Sequence, residues 1–183
     1  MIDEAQKVQL EERLAELPLV EYAYFDAQDV EFTERIRTVC RTECPQYGTT
    51  WACPPAVGTV DECHARCLRF SDVFVFTTIA EVPDIDDFEA CLATRGPHED
   101  ITRQVREIFR ELFGECLVLS TESCALCEQC TYPLGKPCRN PDHMIPCVES
   151  YGIAVTTLAE QAGMSYFYDN TTVVWFSVVF FNV

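Results

Sequence analysis

The residues of this sequence best suited to chemistry are its cysteines, which number twelve in 183 residues. Three of them form one run, Cys124, Cys127 and Cys130, in which two residues separate each cysteine from the next. A fourth, Cys138, follows Cys130 after seven intervening residues. Three thiolates at that spacing wrap a loop around one iron–sulfur cubane, and bacterial ferredoxins use the same run. The prolines and glycine of residues 132–137 favour a turn that returns Cys138 as the fourth ligand. The run therefore predicts a [4Fe–4S] cluster.

Zinc is the main alternative for the same cysteines, because it also binds four thiolates. Zinc sites usually pair two Cys-x2-Cys units, whereas this run strings three cysteines together. The next cysteine of a ferredoxin comes after three residues, where Leu134 stands here, so the spacing to Cys138 departs from that pattern. Lys136 and Arg139 either offset the negative charge of a cluster or are solvated surface charges. Iron–sulfur is the favoured interpretation.

A second constellation has three cysteines with three and eight intervening residues: Cys40, Cys44 and Cys53. Radical enzymes that use S-adenosylmethionine have a cysteine where Tyr47 stands, which excludes that chemistry. Three thiolates either leave one coordination position open for a substrate or are completed by Cys147, Cys63 or another residue. We predict a metal site here, with a redox-active pair or buried thiols as the alternatives.

The remaining cysteines and the histidines give weaker signals. Cys63 and Cys67 share a helical stripe with Phe70, which is typical of a buried helix face. Cys91 and Cys116 are expected in the core. The three histidines lack the neighbours of a metal motif, so each is expected at the surface or beside a site rather than as a ligand: His64, His98 and His143.

The charge balance bears on the partners of the protein. There are 13 basic and 30 acidic residues, for a formal net charge of −17. Nucleic acids and anionic membranes are bound through clusters of Lys and Arg, so neither is an expected partner. An acidic surface suits a redox protein with a basic patch, and it equally suits a protein that is simply soluble. The sequence does not indicate an oligomeric state.

The N-terminal segment bears on the compartment. Residues 1–8 lack the basic patch of a signal peptide and the apolar run that must follow it, so we expect a cytoplasmic protein. In a reducing cytosol, clustered cysteines more often bind metal or act in catalysis than form disulfides. The most apolar stretch, residues 173–181, is much shorter than the roughly 20 residues of a membrane helix. It is predicted as a buried strand.

Helices and strands alternate along the chain. Capping boxes predict helix starts at Asp3 and Thr59, and Gly114 and Gly163 predict helix ends. The elements predicted from apolar periodicity are helices from 3 to about 17, from 59, over 86–93, 98–113 and 155–162, and strands over 20–25, 73–76, 116–119 and 173–181. Two cysteine loops, about 40–57 and 124–147, separate them. We expect one α/β domain over 1–183, with a mostly parallel or mixed sheet and helices packed on it.

Both cysteine motifs carry a family resemblance. The first reads Cys40-x3-Cys44-Pro-x-Tyr-Gly-x2-Trp-x-Cys53-Pro-Pro, and the second reads Cys124-x2-Cys127-x2-Cys130-x-Tyr-Pro-x4-Cys138-Arg-x-Pro. Together with residues 149–153 they resemble an uncharacterised bacterial and archaeal family known as predicted metal-binding proteins, and the likeness covers most of the chain. It implies metal binding without naming a reaction. The seven motif cysteines carry over as ligands, whereas a serine more often stands in that family where Cys147 does here.

Three functions follow from these patterns. The leading hypothesis is a cytosolic iron–sulfur protein, with one or two [4Fe–4S] clusters, that relays electrons to or from a redox partner. The second is a redox enzyme with an open-site cluster on Cys40, Cys44 and Cys53, which the other cluster supplies with electrons. The third is a zinc-stabilised interaction module. The chain lacks the glycine fingerprint of dinucleotide sites and the phosphate loop of nucleotide hydrolases, which argues against nucleotide chemistry.

Overall fold

A computed structural model describes residues 2–183 of the chain. Over these residues the helices are Glu4–Leu14 (α1), Glu34–Glu43 (α2), Val60–Cys67 (α3), Phe88–Ala93 (α4), Arg95–Phe113 (α5) and Val155–Ala162 (α6). The strands are Tyr22–Asp26 (β1), Asp72–Glu81 (β2), Cys116–Ser120 (β3) and Thr172–Phe181 (β4). Short 3₁₀ turns lie at Ala27–Asp29, Tyr132–Leu134 and Glu149–Tyr151.

The four strands form one sheet in the order β1-β2-β4-β3, and every neighbouring pair is antiparallel. The expected combination of helices with a sheet is confirmed, but the expectation of a mostly parallel or mixed sheet is wrong. An unbroken apolar run indicates that both faces of a strand are covered and carries no information on strand direction. Here the two long runs are β2 and β4, the central pair of an antiparallel sheet.

Each face of the sheet is covered by its own hydrophobic core. Along β2, Val73 and Val75 point into the core that α3 and α6 cover, whereas Phe74 and Phe76 point into the core that α1 and α5 cover. Successive side chains of a strand point to opposite faces, so a strand between two cores is apolar wherever its side chains lack a buried hydrogen-bond partner. This requirement explains the apolar runs 73–76 of β2 and 173–176 and 178–181 of β4. The polar residues Thr77, Thr78 and Ser177 are buried within these strands and are hydrogen-bonded.

The local signals for helix boundaries are confirmed. Asp3 caps α1 and Thr59 caps α3, and in both cases the residue three positions later completes the capping box. Gly114 ends α5, and Gly163 ends α6 in the left-handed conformation. Helix α1 ends three residues before the predicted Leu17. Cys63 and Cys67 lie fully buried in the core below α3, as their helical spacing indicated.

Helix α2 is the element that the sequence patterns missed. The segment predicted as a loop from residue 40 to 57 begins with the last turn of this helix, which contains Cys40, and Cys44 is its C-cap. Thr33 caps the helix start by accepting a hydrogen bond from the Arg35 amide. No residue of α2 is fully buried, and its apolar stripe is short, with Ile36, Val39 and Cys40 at i, i+3 and i+4.

Two further features concern burial and membrane crossing. Cys91 and Cys116, expected in the core, are only partly buried. His98, expected at the surface or beside a site, is 1% exposed in the core.

Among residues 2–183, no helix combines the length and the apolar character needed to cross a membrane.

The buried imidazole of His98 is held by hydroxyl groups. Its Nδ1 lies 2.8 Å from the Thr78 hydroxyl and its Nε2 lies 2.9 Å from the Ser177 hydroxyl. A neutral imidazole satisfies both contacts, because one ring nitrogen accepts a hydrogen bond while the other donates. Burial lowers the pKa of His98 to about 4, from the ordinary value of 6.5. The folded protein therefore keeps this residue uncharged where the unfolded chain would protonate it.

We expect His98 to make stability depend on pH between 6.5 and 4. Its contribution is fully present above pH 6.5 and is lost as the pH falls, because the unfolded state then binds a proton that the folded state does not. The loss from this group should reach about 2 kcal/mol at pH 5 and about 3 kcal/mol at pH 4. Urea unfolding at pH 7 and pH 5 should show a larger fall for the wild type than for His98→Gln. Equal falls in the two proteins would contradict the assignment.

Candidate metal centre

The structure gathers eight of the twelve cysteines into two pockets. The first cysteine set lines a cavity of about 250 Å³ and consists of Cys40, Cys44, Cys53 and Cys147. The second cysteine set lines a cavity of about 20 Å³ and consists of Cys124, Cys127, Cys130 and Cys138. All seven cysteines predicted as ligands belong to these sets, and Cys147 is the eighth. Their role as ligands remains a prediction.

Hydrogen bonds of the backbone bring Cys147 to the first set. Ser120, the last residue of β3, forms an isolated parallel bridge with Cys147, because the Ser120 amide donates to Pro146 and the Val148 amide donates to the Ser120 carbonyl. The Cys147 amide donates to the carbonyl of Ala52, at 3.2 Å. Cys147 thus lies next to Cys53 although 93 intervening residues separate them in the sequence.

Helix α2 supplies the other wall of the first set. Its Arg37 guanidinium donates hydrogen bonds to the carbonyls of Ser150 and Gly58, which fix the helix against the turn at Glu149–Tyr151 and against the start of α3. Cys40 faces that turn, with its sulfur 3.9 Å from the Glu149 carbonyl oxygen. The arginine thus fixes the position of a helix that has little apolar contact of its own.

The first set lies in an apolar and acidic environment. Burial, followed by the nearby Glu149 carboxylate, raises the pKa of Cys40 to about 11. Burial also raises the pKa of Cys53 and that of Cys147, whose thiol donates to Glu149 Oε2 at 2.8 Å. The pKa values of Glu149 and Glu122 are raised mainly by burial. The raised pKa values of Cys40, Cys53 and Cys147 favour their protonated thiols, so an incoming metal ion must displace protons from them.

The second set is held by a loop that folds back on itself. Tyr132–Leu134 forms a 3₁₀ turn that ends at Gly135, whose φ of +62° is one that glycine adopts without strain. The Thr131 hydroxyl donates to the Pro137 carbonyl at 2.8 Å, and Arg139 donates to the Gln129 carbonyl at 2.8 Å. These bonds return the chain so that Cys138 lines the same cavity as the preceding three cysteines.

Asn140 donates hydrogen bonds to two sulfurs of the second set. Its backbone amide lies 3.4 Å from Cys138 Sγ, and its Nδ2 lies 3.3 Å from Cys127 Sγ. N–H groups directed at thiolate sulfur stabilise the negative charge of a bound metal–thiolate centre. The indole of Trp51 donates to the Lys136 carbonyl and packs against the Tyr132 ring, with centroids 5.0 Å apart. Both aromatic side chains lie beside the second set.

The cysteines of each set line a pocket and do not converge on one point. Among residues 2–183, no three His, Cys, Asp or Glu side chains have the arrangement that holds a single metal ion. The donors in the two pockets are thiols, which suit iron–sulfur clusters and zinc alike. The donor chemistry therefore fits a metal–thiolate centre.

Several residues of the pockets were not found by sequence reasoning. Glu122 and Glu149 line the first cavity, and Asn140 lines the second. In the sequence, Glu122 precedes Cys124 by two positions, Glu149 follows Cys147 by two, and Asn140 follows Cys138 by two. This closeness to a cysteine is the only signal that the sequence offers for them. Cys63, an alternative fourth ligand for the first set, lies instead in the core and accepts a hydrogen bond from Arg66.

Comparison with known proteins gives one match. A family model described as predicted metal-binding protein (DUF2284) matches residues 23–181, a range that includes both cysteine sets. No curated protein matches the chain. No solved structure matches it either.

The grouping predicts that single cysteine changes remove different centres. Cys53→Ala should abolish metal binding at the first set and Cys127→Ala at the second, because each removes one of four thiolates. The matched control is Cys67→Ala, which alters a fully buried cysteine outside both sets. Metal content per folded chain should fall by about half in either set variant and stay at the wild-type level in the control. Loss of all metal in both set variants would show that the eight cysteines form one site.

Proposed function

We propose an electron-transfer function for this chain, which belongs to the family of predicted metal-binding proteins (DUF2284). Each cysteine set holds one iron–sulfur cluster, of the [4Fe–4S] type, and the protein relays electrons to or from a redox partner. A cluster supplies one-electron oxidation and reduction at a reduction potential that its protein surroundings set. The protein residues hold it, donate hydrogen bonds to its ligands and limit its contact with water.

The observation that carries this proposal is the presence of two separate pockets, each lined by four cysteines. Four thiolates are the usual ligand set of a [4Fe–4S] cluster. Cys147 reaches its pocket only through long-range backbone hydrogen bonds, so the pairing with the first motif is built by the fold. The four cysteines of the second set are partly exposed, and clustered exposed thiols oxidise readily, which makes an unligated role for them a poor explanation.

The sequence of the second set favours clusters over zinc. Cys124, Cys127 and Cys130 form one run with two intervening residues between neighbours, whereas zinc sites usually pair two separate Cys-x2-Cys units. Bacterial ferredoxins bind a cluster with the same run.

The exposure of the second set suits contact with a partner. All four of its cysteines are partly exposed, and residues 133–137 of its loop are exposed, whereas Cys53 and Cys147 of the first set are buried. An electron donor or acceptor would therefore approach the second set. The net charge of −17 attracts a partner with a basic surface and accelerates the encounter at low ionic strength.

A second candidate function is favoured by the difference in cavity size. The first set adjoins about 250 Å³ of space lined partly by Ile36, Val39 and Gln46, whereas the second adjoins about 20 Å³. That space admits a small molecule next to the cysteines. If the Cys147 thiol remains bound to Glu149, three cysteines hold the cluster and one iron is open to a substrate. The protein is then a redox enzyme whose substrate binds at the first set.

The proposal predicts the composition of the protein purified without oxygen. Iron and acid-labile sulfide should be present in equal amounts, about eight of each per chain, and zinc should not be present in a stoichiometric amount. Reduction with dithionite should produce electron paramagnetic resonance (EPR) signals of two clusters. Cys127→Ala should leave the signal of the first set alone and Cys53→Ala that of the second. Zinc without sulfide would reject both redox functions and favour the zinc-stabilised module.

Cys147→Ala separates the relay from the enzyme, because alanine offers no donor atom to a metal. In the relay Cys147 is the fourth ligand, so the variant should lose the EPR signal of the first set and keep that of the second. Cyanide is a suitable probe of an open iron position. The redox enzyme is the better description if two results are obtained: the variant retains the first cluster, and cyanide shifts the EPR signal of the first cluster in both the variant and the wild type.

A further inference from the structure

A third cavity lies beside the first cysteine set, between α2 and the start of α3. Its volume is about 340 Å³, and small-molecule sites range from about 300 to 1,000 Å³. Tyr47 and Pro54 line both this cavity and the cavity of the first set, so the two cavities share a wall. Pro54 directly follows Cys53 in the chain. A molecule bound in the third cavity is therefore close to the first cysteine set.

Two arginines, Arg37 and Arg41, line the third cavity from successive turns of α2. Side chains four residues apart on a helix are neighbours, and like charges at that spacing destabilise the helix. Among residues 2–183, neither guanidinium forms an ion pair with a carboxylate, although the chain has 30 acidic residues and 13 basic ones. An anion bound between the two guanidinium groups offsets their repulsion.

Arg37 is fixed by the backbone and keeps an uncompensated charge. Its guanidinium donates hydrogen bonds to the carbonyls of Ser150 and Gly58. Carbonyl oxygens satisfy two of its five N–H groups but supply no negative counter-charge. Ser150 also lines the cavity of the first set, so Arg37 connects the third cavity to that set.

Arg41 has its side-chain donors available. In the described part of the chain its guanidinium has no hydrogen-bond partner, and the residue is exposed to solvent. A guanidinium group binds a carboxylate or a phosphate through two parallel N–H···O bonds, which match the planar fork of its donors. Arg41 is therefore the residue best suited to bind an incoming anion, and Arg37 adds a second positive charge.

Two carboxylates on the same cavity restrict the kind of anion that fits. Glu62 is already engaged, because its Oε2 accepts a hydrogen bond from the Thr59 amide at 2.8 Å. Glu34 precedes Arg41 by seven positions on α2, which separates the two residues by about 10 Å along the helix axis. A second anionic group near Glu34 is repelled. The cavity thus suits a small molecule whose negative charge is at one end.

We propose that the third cavity binds the carboxylate or phosphate group of a small organic molecule, with Arg41 and Arg37 as the binding residues. The rest of the molecule extends along Tyr47 and Pro54 toward the first cysteine set. The inference deepens the second candidate function, on which the role of this molecule as a substrate rests, because it names the substrate class. That class is a small organic anion with its charge at one end. The binding itself does not depend on which metal the cysteines hold.

The test measures anion binding to the protein purified without oxygen. Isothermal titration calorimetry with inorganic phosphate and with acetate, at constant ionic strength, gives a Kd for each kind of anionic group and shows which of the two the site prefers. Arg41→Gln should raise the Kd of the preferred anion about tenfold, the effect of losing a hydrogen bond between charged groups. Arg41→Lys keeps the charge without the paired donors and should give an intermediate Kd. Because Arg41 is exposed, both variants are expected to fold.

Arg35→Gln is the matched control. Arg35 is exposed on the same helix and does not line the third cavity, so the change removes an equal charge from α2 outside the site. It should leave the Kd close to the wild-type value, because exposed charges outside the site are screened by salt. Glu34→Gln removes the opposing carboxylate and should lower the Kd. No binding of either anion, or equal effects of Arg35→Gln and Arg41→Gln, would overturn the anion site.

The position of the anion relative to the first set is tested by a reductive titration followed by EPR. A negative charge nearby disfavours the reduced form of a cluster, which is the more negative form. Saturation with the preferred anion should therefore lower the reduced-to-oxidised ratio of the first cluster at a fixed potential, and change the ratio of the second cluster less. The effect should be absent in Arg41→Gln at the same anion concentration. Binding through Arg41 with an unchanged ratio would overturn the role of the anion as a substrate of the first set.

The outcomes distinguish this inference from the function on which it rests. A protein without acid-labile sulfide that still binds the anion through Arg41 would overturn the clusters and leave the anion site in place. Two intact clusters together with anion binding that does not depend on Arg41 would overturn the inference and leave the clusters in place.

Discussion

The arrangement of the molecule depends on how the backbone around Cys147 is held. On one side this segment pairs with Ser120 at the end of β3, and on the other it donates to Ala52 in the first cysteine loop. The sheet edge, the first loop and the segment after the second loop meet at this point. Because backbone bonds fix all three, the positions of the cysteines do not depend on long flexible side chains. The turn that follows Cys147 then anchors α2 through Arg37.

The two cysteine sets differ in the polar groups that surround them, which are hydrogen-bond donors at one set and carboxylates at the other. The second set receives N–H groups of Asn140, while the first set faces Glu122 and Glu149. N–H donors stabilise negative charge on a metal–thiolate centre, whereas nearby carboxylates disfavour it. The fold therefore gives two chemically similar cysteine sets unequal electrostatic surroundings. For the proposed clusters, this inequality would give the second set the higher reduction potential.

The sequence predicted local structure better than long-range structure. The capping boxes at Asp3 and Thr59, the apolar face of α5 and the buried runs of β2 and β4 are local signals, and each corresponds to an observed element. Strand direction could not be predicted, because an apolar run reports only that both faces are covered. Helix α2 was not predicted because its apolar stripe of Ile36, Val39 and Cys40 is short, and the helix is fixed in part by hydrogen bonds from Arg37.

For the candidate site as well, the sequence predicted the local motif and not the long-range contacts. The motif spacing grouped Cys124, Cys127 and Cys130 with Cys138, and the loop geometry places these four around one cavity. The position of Cys147 beside Cys53 could not be read from the chain, since it results from pairing with an edge strand that precedes it by 26 intervening residues. Glu149 enters the site for the same reason, because it follows Cys147 by two positions, and the matched family range of residues 23–181 includes it.

The bridge between Ser120 and Cys147 also has a consequence for the edge of the sheet. Strand β3 is an edge strand, and the segment around Cys147 occupies the hydrogen-bonding groups of its last residue. Unpaired edge strands recruit other chains and promote aggregation. The segment that contributes Cys147 to the first cysteine set therefore also shields the end of this edge strand from pairing with another chain.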